Sequence, residues 1–179
     1  MDEALVDFPG AIVVLIGAPG AGKTRTGRRL ARMLDVPFID TDKRVVAQHG
    51  SVAAIFEQHG EARFRALERE AVVEALAQRA VVTLGGGAVL DPRTQADLAE
   101  CTVVQLRVSA DAVAARIAGG KRPLLVGGIE SWERLVSARQ PIYDRLSAVT
   151  IDTSGRQMEA IALEVVEWLS SGRTSRAQA

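Results

Sequence analysis

Residues 11–24, AIVVLIGAPGAGKT, decide the fold of this chain. The first six residues are apolar and mostly β-branched, which predicts a buried strand in a sheet that is covered on both faces. The glycine-rich stretch 17–24 follows, and residues 25–34 have helical spacing. Glycines between a strand and a helix let amide groups surround phosphate oxygens, and the helix N-terminus adds a positive dipole end. We therefore predict a P-loop in which Lys23 reaches the outer phosphates and the Thr24 hydroxyl faces Mg²⁺.

Short apolar runs alternate with longer helical patterns on both sides of this loop. The patterns predict strands at 11–17, 36–40, 80–84, 102–108 and 148–153, and helices at 25–34, 43–58, 61–78, 109–118, 131–146 and 156–170. Pro141 is expected to kink or end its helix. This alternation is typical of an α/β fold with a parallel sheet and helices on both faces. Ligands gather at the carboxyl ends of such strands, so residues 17–24, 40–42 and 85–87 should share one rim.

Two aspartates stand where the second predicted strand ends, in FIDTDKR. If the strand continues, Asp40 and Asp42 share a face and lie about 6–7 Å apart. One interpretation is helix capping, with Thr41 or Asp42 starting the helix that follows. The other gives Asp40 a magnesium-bound water beside Thr24, and gives Asp42 a hydrogen bond from the hydroxyl of a phosphoryl acceptor.

Three consecutive glycines, Gly85, Gly86 and Gly87, follow the predicted strand 80–84. Glycine weakens a strand and costs conformational entropy on folding. A chain that keeps three therefore needs backbone without side chains, either for a close approach or for a turn.

Composition excludes several classes of protein. The chain has 179 residues, enough for one domain, and its 22 basic and 22 acidic residues give no net charge to attract nucleic acid or membrane. Aromatic residues make up only 4%, which argues against stacking on single-stranded nucleic acid. No apolar stretch reaches about 18 residues, and there is no basic signal-peptide region. A single cysteine, Cys101, suits a reducing compartment, so we expect a cytoplasmic protein.

In combination, these motifs resemble the shikimate kinases, small P-loop kinases, over about residues 11–170. The resemblance rests on their order: GAPGAGKT, DTD at 40–42, IFEQHGEARFRALE at 55–68, LGGGAV at 84–89, RPLL at 122–125 and RQPIYDR at 139–145. It implies a three-layer αβα P-loop NTPase fold similar to nucleoside monophosphate kinases, with a five-stranded parallel sheet in the order 2-3-1-4-5. It also implies one kinase domain over 1–179, with an acceptor-binding segment near 42–70 and a lid near 119–130. Residues 171–179 are expected to form a flexible tail.

The resemblance also implies roles for individual residues. It places the acceptor ring against the bare backbone of the glycine triplet, where amide groups donate to it. Arg65 and Arg139 correspond to residues that bind the shikimate carboxylate, and Asp42 to the residue that holds the acceptor hydroxyls. Arg122 corresponds to a lid arginine that closes on the phosphates, and Arg116 to one that lies along the adenine. Phe56, Phe64 and Glu68 correspond to the wall of the acceptor pocket, although Phe64 could equally be plain core. The nucleotide-binding set is Gly17, Gly20, Ala21, Gly22, Lys23, Thr24, Arg116 and Arg122.

The activity implied is transfer of the γ-phosphoryl group of ATP to the 3-hydroxyl of shikimate, a step of chorismate and aromatic amino-acid biosynthesis. Mg²⁺ is the expected cofactor, held by Thr24 and, through water, by Asp40. Lys23, Asp42 and Arg122 are the expected catalytic residues, and a monomer is expected. The alternatives are a gluconate kinase, a nucleotide kinase and a kinase of an aminated shikimate analogue. A P-loop ATPase or a nucleotide-binding regulatory module without an acceptor is an alternative of another class.

Overall fold

The computed structural model of the protein describes residues 10–118 and 127–172. Within these ranges the chain forms five strands and seven α-helices, in the order β1 (Val13–Ile16), α1 (Lys23–Met33), β2 (Phe38–Asp40), α2 (Thr41–His49), α3 (Val52–Leu76), β3 (Val81–Thr83), α4 (Pro92–Ala99), β4 (Val103–Arg107), α5 (Ala110–Ala118), α6 (Gly128–Leu146), β5 (Val149–Asp152) and α7 (Met158–Ser170). A short 3₁₀ helix, Ala88–Leu90, precedes α4.

The strands form one parallel sheet in the order β2-β3-β1-β4-β5, which confirms the expected α/β fold and strand order. The central strand β1 pairs with β3 through Val13 and Val81, and with β4 through Ile16 and Gln105. All four β1 residues are buried, because helices cover both faces of the sheet. The loop after β1 and the glycine triplet after β3 are therefore neighbours at the same edge.

Two apolar clusters, one on each face of the sheet, give the three layers. On one face Leu30 of α1 and Val165 of α7 pack against the sheet. On the other face Val72 of α3, Leu98 of α4 and Tyr143 of α6 do so.

A third, smaller cluster joins α2 to α3. Its members are Val45, Ile55, Phe64, Leu67 and Ala71. Helix α3 changes direction at Gly60, whose φ of 78° is non-helical, so the predicted separation between helical segments 43–58 and 61–78 corresponds to a kink. The cluster holds these helices as a unit beside the rim of the sheet.

Two helices differ from the expectation: α4 is present where none was predicted, and α6 does not end at Pro141. Helix α4 is not predicted, although Asp91 accepts a hydrogen bond from the Arg93 amide at 2.8 Å and Pro92 occupies the first turn, a common helix start. Helix α6 runs through Pro141 without ending. Proline removes one hydrogen bond of the helix, but tertiary contacts on both sides of Pro141, through Trp132 and Tyr143, hold α6 in place.

Most of the predicted lid, 119–130, lies outside the described residues, as does most of the predicted tail. Of the predicted lid, residues 127–130 are described, and 128–130 form the first turn of α6. Among the described residues, no helix combines the length and apolar character needed to cross a membrane.

Candidate active site

The P-loop needs glycine at three of its positions. Gly17, Gly20 and Gly22 have φ values of 139°, 85° and 88°, in the region that L side chains rarely adopt. A Cβ on Gly17 would also collide with the carbonyl oxygen of Leu106. Gly22 is the N-cap of α1, so the loop leads directly into the helix N-terminus. This backbone leaves a concave turn with the positive end of α1 facing it.

Lys23 folds back over the loop from the first turn of α1. Its Nζ donates to the carbonyl oxygens of Gly17 at 2.7 Å and of Ala18 at 3.1 Å. Burial lowers the pKa of Lys23 from 10.5 to about 8, and the negative charges of Asp42 and Asp40 oppose this shift. The ammonium group therefore stays mainly charged at neutral pH and is held in front of the loop.

Asp40 connects the P-loop to the next strand. The Thr24 hydroxyl donates to Asp40 Oδ2 at 2.7 Å, and Asp40 Oδ1 accepts from the Lys43 amide at 3.2 Å. Asp40 is thus the N-cap of α2, so the expectation that Thr41 or Asp42 caps this helix is wrong. The strand geometry expected for Asp40 and Asp42 is also wrong, because the helix begins at Thr41.

Asp42 lies in the first turn of α2, and although the residue as a whole is exposed, its carboxylate lies against the Gly85 backbone. The surrounding protein atoms raise the pKa of Asp42 by desolvation, and the charge of Asp40 raises it further, whereas Lys23 and Arg65 oppose the rise. A carboxylate whose pKa is raised is a better proton acceptor than an ordinary aspartate.

Each glycine of the triplet lies against a different side chain. A Cβ on Gly85 would collide with the Asp42 carboxylate, and a Cβ on Gly87 would lie 2.5 Å from Arg65 Nη1. A Cβ on Gly86 would lie 3.2 Å from Arg139 Nη1. None of the three glycines has a positive φ, so the triplet is required for close approach and not for a special backbone conformation.

The amide of Gly85 is not free to donate to an acceptor ring. It points to the Thr41 hydroxyl at 3.4 Å. The expectation that the triplet amides donate to a ligand therefore holds at most for Gly86 and Gly87.

Arg65 is held by carboxylates on its own helix. Its Nη1 donates to Glu68 Oε2 at 2.7 Å, and its Nη2 lies 3.4 Å from Glu61 Oε1. Glu68 is buried, which raises its pKa, whereas the charge and hydrogen bond of Arg65 lower it. Arg65 also lies over the Phe64 ring, with 5.4 Å between Cζ and the ring centroid.

Phe56 and Phe64 form a tilted aromatic pair, with 5.2 Å between ring centroids. Phe64 is buried in the cluster between α2 and α3, so it is a core residue, whereas Phe56 is exposed. The ring of Phe56 is therefore the one available to border a ligand.

Three contacts at the site are not predicted from the sequence. The Tyr143 hydroxyl donates to the carbonyl oxygen of Gly86 at 3.0 Å. The Trp132 indole N–H donates to the Pro19 carbonyl in the P-loop at 2.8 Å. The Thr153 hydroxyl donates to the Ala21 carbonyl at 3.1 Å. Tyr143 lies within RQPIYDR, one of the motifs on which the resemblance rests, so that motif could have indicated a role for Tyr143 at the site. No local pattern in the sequence indicates the partners of Trp132 and Thr153.

The structure does not describe the side-chain positions of two of the expected arginines, Arg116 and Arg122. Arg122 lies outside the described residues. Arg116 is in α5, and the position of its side chain is not described. The structure thus brings together the P-loop, Asp40, Asp42, Arg65, Arg139 and the glycine triplet.

A P-loop beside a glycine triplet that is faced by one carboxylate and two guanidinium groups is typical of a P-loop kinase with a small anionic acceptor. The family model of shikimate kinase matches residues 19–170. This chain belongs to the shikimate kinase family.

Individual relatives agree with this assignment. A shikimate kinase of Thermobifida fusca is 46% identical over 155 residues, which cover 84% of this chain and 90% of the relative. One from Salinispora arenicola is 44% identical over 164 residues, covering 89% and 98%. Among solved structures, the shikimate kinase of Acinetobacter baumannii in complex with shikimate has a TM-score of 0.82 and 30% identity. That match covers 93% of this chain and 96% of the other.

Proposed function

We propose that this chain transfers the γ-phosphoryl group of ATP to the 3-hydroxyl of shikimate, giving shikimate 3-phosphate and ADP. The observation that carries the proposal is the convergence of Asp42, Arg65 and Arg139 on the glycine triplet, beside a complete P-loop. Two guanidinium groups suit a carboxylate, because each presents N–H donors in a planar fork. A carboxylate on the adjacent helix suits a hydroxyl.

In the proposed reaction, the oxygen of the acceptor hydroxyl forms a bond to the γ-phosphorus while the bond from that phosphorus to ADP breaks. Asp42 accepts the hydrogen bond of the attacking hydroxyl and is placed to take its proton, which its raised pKa favours. Lys23 supplies positive charge where negative charge builds up on the phosphoryl oxygens. Catalysis of this kind depends mostly on positioning and charge neutralisation.

The proposal includes Mg²⁺ as cofactor. The Thr24 hydroxyl and the Asp40 carboxylate, whose oxygens are 2.7 Å apart, are hard oxygen ligands of the kind that Mg²⁺ accepts together with water and phosphate. When bound, the ion neutralises charge on the transferred phosphoryl group. Thr24 would bind it directly, and Asp40 would bind it through water.

We further propose that residues 42–70 form the acceptor-binding segment of a single kinase domain. This proposal is supported by the apolar cluster between α2 and α3, because the cluster packs the helix that carries Asp42 against the helix that carries Arg65.

A monomer would suffice, since these described groups all come from one chain. A cytoplasmic location is proposed on the single cysteine. Arg122 and Arg116 keep their proposed roles on the resemblance of their motifs alone.

The test is ADP release in a coupled assay with purified protein, ATP and Mg²⁺. Shikimate, its aminated analogue and gluconate are compared as acceptors with a reaction that contains none. We expect release that depends on shikimate and that Asp42→Asn removes. Release with gluconate in preference to shikimate would indicate a gluconate kinase, and equal release without acceptor would indicate an ATPase.

A further inference from the structure

We propose that Thr41 is a positioning residue whose hydroxyl fixes the Gly85 backbone beneath the Asp42 carboxylate. Its consequence for catalysis rests on the proposed function, in which Asp42 accepts a hydrogen bond from the attacking hydroxyl. Thr41 itself touches neither substrate nor the reacting atoms in this scheme.

The Thr41 side chain bridges the ends of two strands. It is completely buried, its hydroxyl donates to the Thr83 carbonyl at 3.3 Å, and it accepts from the Gly85 amide at 3.4 Å. The main-chain pairing of β2 with β3 ends at Asp40 and Thr83. Because α2 begins at Thr41, the main chain turns away there, and the hydroxyl continues the connection between the two strand ends.

The two hydrogen bonds of Thr41 fix the distance between Asp42 and Gly85. Asp42 follows Thr41 directly, and its carboxylate lies so close to Gly85 that no Cβ fits between them. A shift of Gly85 relative to α2 would therefore raise, lower or tilt the Asp42 carboxylate. Reacting groups displaced by about 1 Å can lose 100-fold in rate.

A neighbouring threonine provides a matched comparison. Thr83 is buried like Thr41, at 2% and 0% exposure respectively. Its hydroxyl, unlike that of Thr41, has no hydrogen-bond partner within the described part of the chain. Replacement of Thr83 by valine keeps the main-chain carbonyl and the branched shape, so it removes a buried threonine hydroxyl without removing the bridge.

The experiment compares Thr41→Val, Thr41→Ser and Thr83→Val with the unmodified protein. With shikimate and ATP, we expect Thr41→Val to lower kcat by about 10- to 100-fold while the KM for ATP stays unchanged. Thr41→Ser should recover most of kcat, and Thr83→Val should keep it. Hydrogen exchange of the Gly85 amide should become faster in Thr41→Val only. If Thr41→Val does not fold, Thr41→Ser and Thr41→Ala replace it, since they differ by the hydroxyl alone.

A Thr41→Val protein with the kcat and the Gly85 exchange rate of Thr83→Val would overturn the proposal. So would a Thr41→Ser protein as slow as Thr41→Val. The activity of the unmodified protein on shikimate tests the proposed function separately. Hydrogen exchange at Gly85 needs no substrate, so it tests the bridge even if the acceptor is another molecule.

Discussion

Because the three glycines of the triplet have no side chains, three side chains of the site can lie directly against their backbone. Asp42, Arg139 and Arg65 face Gly85, Gly86 and Gly87 in turn. Residues 85–87 can also take alanine without backbone strain, since none has a positive φ. Alanine substitutions therefore move one functional group at a time.

Gly85→Ala should lower kcat, because the new methyl group displaces the Asp42 carboxylate, and a loss of about 100-fold is expected. Gly87→Ala should instead raise the KM for shikimate, because it displaces Arg65. Gly86→Ala is the matched control with the mildest effect, since its nearest contact, Arg139 Nη1, is 3.2 Å away. Steady-state kinetics with both substrates distinguish these outcomes. Equal losses in the three variants would contradict the one-to-one contacts.

In a variant without Arg65, the free energy of unfolding should depend on pH through the ionisation of Glu68. In Arg65→Met the buried Glu68 carboxylate loses its 2.7 Å partner, so its pKa should rise further. At pH 7 the ionised group is then penalised in the folded state, and we expect a loss of about 1–3 kcal/mol in the free energy of unfolding. Below the raised pKa Glu68 is protonated, so the difference from the unmodified protein should shrink towards about pH 5.

Urea unfolding at the two pH values measures this difference. The double variant Arg65→Met/Glu68→Gln should regain stability at pH 7 without regaining affinity for shikimate. A difference that is equal at both pH values would show that the Glu68 charge is not its cause.

Helix α6 contacts both halves of the site. Trp132 binds the P-loop through Pro19, and Tyr143 binds the triplet through Gly86, with Arg139 between them in the sequence. The spacing of seven and four residues puts the three side chains on one side of the helix. A displacement of α6 would therefore affect nucleotide and acceptor together.

Trp132→Phe should weaken ATP binding and lower the free energy of unfolding by about 0.5–1.5 kcal/mol, because the partly buried Pro19 carbonyl loses its donor. Trp168→Phe on α7 is the control, since no described hydrogen bond joins Trp168 to the P-loop. Thermal unfolding and nucleotide titration compare the two variants. If both behave alike, the indole N–H does not support the loop.

Arg139→Ala should raise the KM for shikimate while kcat changes less, because a grip on the carboxylate acts in ground and transition states alike. A loss of about 2–5 kcal/mol is expected for a broken charge pair, or about 30- to several-thousand-fold. Arg139→Lys should recover only part, since an ammonium group cannot reproduce the planar fork. Arg134→Ala, on the exposed side of the same helix, should leave both constants unchanged. A normal KM for Arg139→Ala would remove Arg139 from the carboxylate site.

The sheet order brings together parts that are far apart in the sequence. Because β1 lies between β3 and β4, the P-loop that follows β1 is adjacent to the triplet that follows β3. Since β2 is the neighbour of β3, Asp42 reaches the same edge. The alternation of apolar runs and helical patterns predicted a parallel sheet with these segments at one rim, because parallel strands end at a common edge. The strand order itself was implied only by the resemblance to the shikimate kinases.

Other features depend on contacts that no local pattern encodes. Trp132 and Pro19 are 113 residues apart, and Trp132 would fit a buried apolar position with or without its hydrogen bond. Threonine is a common N-cap residue, so Thr41 was a candidate for that role. In the structure Asp40 caps α2, and the Thr41 hydroxyl instead donates to the Thr83 carbonyl at the end of β3. Helix α4 has only eight residues, too few for a clear helical period, although its Asp-Pro start was visible.

The position of bound shikimate tests the proposed site most directly. In a crystal structure of the protein with shikimate and ADP, we predict that the carboxylate contacts Arg65 and Arg139 and that a hydroxyl faces Asp42, with the ring over the triplet. A different position is available: a cavity of about 470 Å³ between α3 and α4, bordered by Arg69, Arg93 and Thr94 as well as by Arg65. Shikimate bound in that cavity, away from Arg139 and Asp42, would contradict the site described for this chain.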